Sequence, residues 1–206
     1  MSKSIILGVT GASGAIYARE ALRALDADAR VERVHLVITE AGMRLLTSEL
    51  GINAVESKSL PAMITGTSAT KIQYHQNRDI GASIASGSFP VDAMVVIPCS
   101  AGTLADIACG TAGDLLARSA DVCLKERRPL ILCLRETPLN RIHLENMLRA
   151  QAAGAVIMPA MPSFYHQPKS IDDLVQQFVY RVLAQIELPQ ERAYRWTGAR
   201  EAENRK

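Results

Sequence analysis

Apolar residues in this chain fall into short unbroken runs, and between the runs they recur at helical spacing. Ile5-Ile6-Leu7-Gly8-Val9 is apolar at every position, so Ser4–Thr10 reads as a strand covered on both faces. It closes in a turn of small residues, Gly11-Ala12-Ser13-Gly14, and Ala15–Leu25 continues as a helix. Val34–Thr39 is a second run rich in β-favouring residues, followed by a helix over Ala41–Leu50 that carries Glu49 near its end. Strand, helix and strand at this spacing make a βαβ unit, so the sheet is parallel.

Asn53–Ser88 is the least regular part, broken by Pro61, Gly66 and Gly81, and Ser83–Pro90 is a loop of small hydroxyl residues. Such a loop is either a surface connection or, in a compact α/β domain, a functional one. Ala93–Pro98 is another strand without polar relief, and it runs into Cys99-Ser100-Ala101-Gly102-Thr103, which opens a helix. Asp114–Arg127 has Leu115, Leu116, Ala120 and Leu124 on an apolar side, and Pro129–Leu134 is the next strand, left through Arg135-Glu136-Thr137-Pro138. His143–Ala153 reads as a helix ended by Gly154, Ala155–Pro159 as a last strand and Ala160–Pro168 as a loop. Ser170 caps a final helix over Ile171–Ile186. The expectation is one domain over residues 1–188, then a charged tail, 189–206, ordered only where a neighbouring subunit holds it.

Composition narrows the functions. The chain has 206 residues, 48% of them hydrophobic, which suits a single domain with a sizeable core. Lys and Arg number 23 against 21 Asp and Glu, without a basic block, and aromatics are only 4%; both argue against nucleic acid. No apolar run reaches the roughly 18 residues of a membrane span, and no signal-peptide pattern opens the chain. Cys99, Cys109, Cys123 and Cys133 form no CxxC pair and have no histidine at zinc spacing, so they read as thiols in a reducing cytoplasm and no metal site is expected.

In a parallel sheet the residues just past the strands share one edge, where ligands of such sheets bind. Gly11, Ser13, Thr39, Ser100, Thr103, Arg135 and Glu136 collect there, a set suited to an anionic ligand with many acceptors. The N–H groups opening the first helix point at whatever lies above the strand, and a phosphate or an electron-rich ring fits there. The turn lacks the full GxGxxG fingerprint, and from the residues alone Arg135-Glu136 reads equally as a solvated loop. No Ser–His–Asp order or HExxH pattern occurs, and Ser13 has no histidine positioned as a base. His143 and His166 read as ordinary helix or loop residues.

Seven motifs carry a resemblance: Gly-Ala-Ser-Gly-Ala at 11–15, Ser-Gly-Ser-Phe at 86–89, Pro-Cys-Ser-Ala-Gly-Thr at 98–103, the basic stretch 118–130, Arg-Glu-Thr-Pro-Leu at 135–139, His-Leu-Glu-Asn-Met at 143–147 and Phe-Tyr-His-Gln-Pro at 164–168. In this order they resemble the UbiX-type flavin prenyltransferases. The resemblance implies a Rossmann-like (flavodoxin-like) three-layer α/β sandwich, assembled into homododecamers with active sites between subunits. It implies transfer of a dimethylallyl group from dimethylallyl monophosphate to N5 and C6 of reduced FMN without a metal, giving prenylated FMN for a UbiD-type decarboxylase. By the same resemblance Gly11, Ala12, Ser13, Thr39, Ser100, Ala101, Gly102, Thr103 and Arg135 hold FMN, with Ser13 near N5 as a proton relay. Ser86, Gly87, Arg118, Lys125, Tyr165 and Arg181 hold the prenyl phosphate, and Glu49 and Glu136 are the acid–base pair. Thr39 stands where the family commonly has serine, and Ile80 is in the neighbourhood where some members carry a tryptophan. The chemistry is self-consistent: cations can draw off a phosphate, and a reduced flavin can stabilise the allyl fragment. An FMN carrier, or a decarboxylase of the related homo-oligomeric flavoproteins, is the alternative.

Overall fold

The computed structural model describes residues 2–52 and 59–196. Six strands form one sheet: β1 (Lys3–Val9), β2 (Val31–Ile38), β3 (Ile72–Gln76), β4 (Ala93–Cys99), β5 (Leu130–Leu134) and β6 (Val156–Ile157). Their order is β3-β2-β1-β4-β5-β6, and every pair is parallel. Helices α1 (Ala15–Ala27), α2 (Glu40–Leu50), α3 (Leu60–Thr65), α4 (Ala101–Cys109), α5 (Leu115–Lys125), α6 (Arg141–Ala152) and α7 (Ile171–Ala184) cover it.

The unbroken apolar runs have a simple cause. Successive side chains on a strand alternate faces, and both faces here are covered. Ile5, Leu7, Val9, Leu36, Val95 and Ile97 pack under α1 and α7, whereas Ile6, Val37, Met94, Val96 and Leu132 pack under α4, α5 and α6. The strand order reverses direction between β1 and β4, so their carboxyl ends flank a crevice open to ligands.

The irregular stretch needs correcting. Within it lie the short helix α3 and the strand β3, while 53–58 falls outside the described residues. β3 reads Ile-Gln-Tyr-His-Gln and buries only Ile72 fully, because it is an edge strand bonded to β2 alone. Other boundaries move by capping. α6 starts at Arg141 because Asn140 accepts the His143 N–H at 2.9 Å while His143 Nδ1 accepts the Asn140 N–H at 3.4 Å, a capping box. Gly154 sits one residue past the cap, at φ +112°. β6 is two residues long, yet Met158 and Ala160 still donate to Leu132 and Leu134 along β5. Ser170 caps α7 as expected, accepting from Asp173 at 3.1 Å.

The expectation that only a neighbouring subunit orders the stretch after Leu188 is corrected: its own chain holds it from Pro189 to Tyr194. Arg30 donates to the Pro189 carbonyl, Gln190 to Asp28, and Gln177 exchanges two hydrogen bonds with Arg192 and Tyr194. Residues 197–206 lie outside the described residues.

Under α5, His35 of β2 and His75 of β3 meet at 3.0 Å, and the His35 ring stands edge-on to Phe89 at 5.5 Å. Burial, then the neighbouring His75 and Arg33, lowers the His35 pKa to about 4. Burial likewise lowers His75, against the opposing charge of Asp79. A histidine whose folded pKa is depressed costs stability once the unfolded chain takes up the proton. The His35 contribution is therefore intact above about pH 6.5 and lost as pH falls from there to about 4. Between pH 7.5 and 5 this amounts to about 2 kcal/mol. Denaturant titrations at both pH values are expected to show that loss in the parent chain and a smaller one in His35→Gln, which keeps a hydrogen-bonding side chain but does not titrate. Equal losses would assign the pH dependence elsewhere.

Candidate active site

Two turns form the lips of the crevice, and one hydroxyl ties them. Thr10, fully buried, donates to the Pro98 carbonyl at 2.8 Å and accepts the Ser100 N–H at 2.8 Å. Gly11 is needed for packing, since a Cβ there would stand 2.5 Å from Ala41 Cβ at the start of α2. Gly14, at φ +124°, turns the chain into α1.

Glu49 reaches from the last turn of α2 into the start of α1. Its carboxylate accepts the Ala15 N–H at 2.8 Å and the Gly14 N–H at 3.0 Å. Partial burial pushes the carboxyl up, but the Ser13 hydroxyl, these two N–H groups and the Arg135 charge outweigh it and hold it below the usual value. The carboxylate is thus ionised at neutral pH, a proton acceptor with Ser13 as its hydrogen-bonded neighbour. The expectation that the opening N–H groups of α1 await a ligand is corrected here: Glu49 already occupies two of them.

The free helix start is that of α4. Ser100 caps it by accepting from Thr103 N–H at 3.2 Å, which leaves the Ala101 and Gly102 N–H groups without an intrahelical acceptor. A Cβ on Gly102 would meet nothing nearer than Ser100 Oγ at 3.9 Å, so a ligand can approach this turn closely. Thr39 caps α2 by accepting the Gly42 N–H at 3.0 Å, and its own O–H is left to donate. Arg135 follows β5; its N–H donates to Cys99 O at 3.0 Å and its Nε to Ser13 O at 3.1 Å, so it binds the third strand end to both lips. Glu136 accepts the Thr137 N–H at 3.0 Å. This donor set fits a flavin mononucleotide: helix-start N–H groups and hydroxyls for a phosphate, and small residues where a flat ring must lie close.

Of the residues expected to hold the prenyl phosphate, Ser86, Gly87 and Lys125 do not join this cluster within one protomer. Ser86 and Gly87 precede β4, and Lys125 ends the helix that precedes β5, so all three lie at the amino ends of the strands. One strand length, about 17–23 Å, separates them from Ser13 and Arg135. They do meet one another. Gly87 lies so close to the Glu126 carboxylate and Lys125 Nζ that a side chain would collide with both. Lys125 pairs with Glu126 at 2.9 Å, and Arg118 pairs with Asp121 at 2.9 Å and donates to Ala85 O at 3.2 Å. Tyr165 and Arg181 line a third place, a cavity of about 380 Å³ against α7 shared with Ser163, His166, Gln177, Tyr194 and Trp196. Ile80 is 63% exposed and lines an open cavity of about 730 Å³ at the carboxyl ends of β2 and β3, with Met43 and Tyr74.

Two contributors escaped the sequence reading. Thr10 looked like the last residue of a strand, and only the approach of β4 makes it a brace. Arg128 donates to Gly87 O at 2.7 Å and to Phe89 O at 3.0 Å, holding the 86–89 loop; its place in the basic motif was the available signal. Cys99, Cys123 and Cys133 are buried and Cys109 is exposed; burial pushes the Cys99 and Cys123 thiols up to about 12. Among the described residues no group of three or more His, Cys, Asp or Glu could hold a metal ion.

Fold and crevice together define a flavin-binding α/β protein, and a family model described as Flavoprotein matches residues 1–183. The flavin prenyltransferase UbiX of Escherichia coli K12 is 47% identical over 199 residues, covering 96% of this chain and all of the relative. This chain belongs to the UbiX flavin prenyltransferase family. Among solved structures, AnUbiX in complex with FMN and dimethylallyl pyrophosphate superposes with a TM-score of 0.86 at 40% identity, covering 97% of this chain and 100% of that one. A dodecameric FMN-dependent UbiX-like decarboxylase from Escherichia coli O157:H7 gives 0.84 at 41%, covering 95% and 100%.

Proposed function

We propose that this chain transfers a dimethylallyl group from dimethylallyl monophosphate to N5 and C6 of reduced FMN, without a metal, and releases prenylated FMN to a UbiD-type decarboxylase in the cytoplasm. The observation that carries this reading is the knot of Ser13, Glu49 and Arg135 at the β1/β4 crevice, in a chain nearly half identical to flavin prenyltransferases throughout its length. The reduced flavin, when bound, supplies an electron-rich ring as nucleophile.

The chain's residues divide the remaining work. Gly11, Ala12, Thr39, Ser100–Thr103 and Arg135 bind and orient FMN at the strand ends. Ser13 Oγ takes up a proton from the flavin side and relays it to Glu49, whose ionised state suits acceptance. Glu136, across the same edge, serves as its acid–base partner. Lys125, Arg118 and Arg181, with Ser86, Gly87 and Tyr165, oppose the charge that gathers on the departing phosphate. Lys125 and Arg118 are paired with carboxylates on half-exposed surface; solvent screens such pairs and leaves them weak, so a phosphate displaces them readily. Because Lys125, with Ser86 and Gly87, lies at the opposite end of the strands from the crevice, a homo-oligomer, in this reading a dodecamer, completes the site and excludes water from it.

Incubating the protein with FMN, a reductant and dimethylallyl monophosphate, then weighing the flavin, tests the reading: a gain of one C5 unit is expected, and an unchanged mass defeats it. An FMN carrier would bind flavin equally in the parent and in Glu136→Gln, with no product from either.

A further inference from the structure

His166 has no role in the reading above, yet its setting is unusual. The turn Phe164–Gln167, closed by the Gln167 N–H donating to Phe164 O at 2.9 Å, presents Tyr165 and His166 as its two central residues. Both line the 380 Å³ cavity against α7, beside Arg181 and Gln177. Neither ring nitrogen of His166 is exposed to solvent, and neither has a hydrogen-bond partner among the described residues. Protein interiors seldom leave such groups unpaired, and an imidazole always has at least one N–H to donate.

The walls around it come from the stretch after α7. Gln177 accepts the Tyr194 N–H at 2.7 Å through its carbonyl and donates to Arg192 O at 3.1 Å through its amide, so one side chain pins this strap from both sides. The pinned strap places Tyr194 6.0 Å from the His166 ring and 5.9 Å from Tyr165, and Trp196 stands 6.4 Å from Tyr165. The cavity is therefore two-sided: Arg181 offers charge and His166 an unpartnered imidazole in the wall, while three aromatic rings, Tyr165, Tyr194 and Trp196, offer an apolar, π-rich lining. A ligand with an anionic head and a short unsaturated tail matches both.

We propose that His166 is a further phosphate-binding residue of the prenyl-donor pocket, donating a ring N–H to the phosphate that Arg181 attracts, under the strap that Gln177 pins. The assignment rests on the prenyltransferase reading, and it deepens it by naming which otherwise unpaired group the donor satisfies. Asp173 is the acidic group near this ring; its carboxylate accepts the Lys169 N–H at 2.9 Å and makes no hydrogen bond to either ring nitrogen.

The test uses the full chain and three variants, His166→Ala, His166→Gln and Gln177→Leu, with KM for dimethylallyl monophosphate, FMN affinity and inorganic phosphate affinity as readouts. Loss of a hydrogen bond to a charged group predicts a donor KM about tenfold or more higher in His166→Ala, with kcat less affected and FMN affinity unchanged. His166→Gln, which retains a donor, is expected to recover most of that loss, and Gln177→Leu to raise donor KM as well by freeing the strap. Donor KM and phosphate affinity unchanged in His166→Ala, or an equal loss of FMN affinity, would overturn the assignment. If the parent protein forms no prenylated flavin, the functional reading fails separately, and the phosphate affinities of parent and His166→Ala still decide the role of His166.

Discussion

Replacing Glu49 with glutamine is expected to slow prenyl transfer by about a hundredfold to ten-thousandfold while the protein still binds FMN, the range ordinarily carried by one positioned acid–base group. The isostere removes the charge and turns one oxygen into a donor. Glu49 now meets donors only: two backbone N–H groups, the Ser13 hydroxyl and the Arg135 charge. A glutamine amide facing any of these points hydrogen at hydrogen, and Ser13 loses the acceptor that would take its proton. The flavin contacts lie on other atoms, so FMN affinity separates the two roles. Single-turnover rates at saturating FMN, with thermal melting as a check on α1, give the comparison. A rate within threefold of the parent would remove Glu49 from the chemistry, and loss of FMN binding in a folded protein would make it a structural cap alone.

Mixing two inactive variants should restore activity. Glu49→Gln disables the carboxyl-edge half of the site, and Lys125→Ala disables the amino-edge half, where loss of a transition-state cation costs about a hundredfold to a thousandfold. If each site draws Glu49 from one protomer and Lys125 from its neighbour, random co-assembly leaves both intact in one half times one half, about one quarter, of sites. Co-expression should therefore yield about a quarter of the parent activity, and each variant alone almost none. Activity no higher than the single variants would place both residues in one protomer's site and contradict the separation seen across the sheet.

Strands β1, β4 and β5 were legible because burial on both faces leaves no polar position to blur the pattern. β3 was not, because Ile-Gln-Tyr-His-Gln on a sheet edge carries too little apolar signal to stand out from loop. The crevice residues were legible as a group, since a parallel sheet gathers whatever follows its strands. Their mutual bonds were not. That Glu49 closes the start of α1 depends on how α2 lies across it, which no local spacing encodes. The position of Lys125 was available in principle, because a helix leading into a parallel strand ends at the edge away from the ligand; roles carried over from the family say nothing about which edge a residue occupies. His166 looked like an ordinary loop residue until the strap beyond α7 was seen to enclose it.

Thr10 gives the mouth between β1 and β4 a fixed gauge. Spreading the two strand ends would strip a buried hydroxyl of both partners at once, at about 1–3 kcal/mol for each group left unmatched. The sheet thus behaves as a slot, not a jaw. Its width is set before any guest arrives, so only a flat one, entering edgewise, matches it.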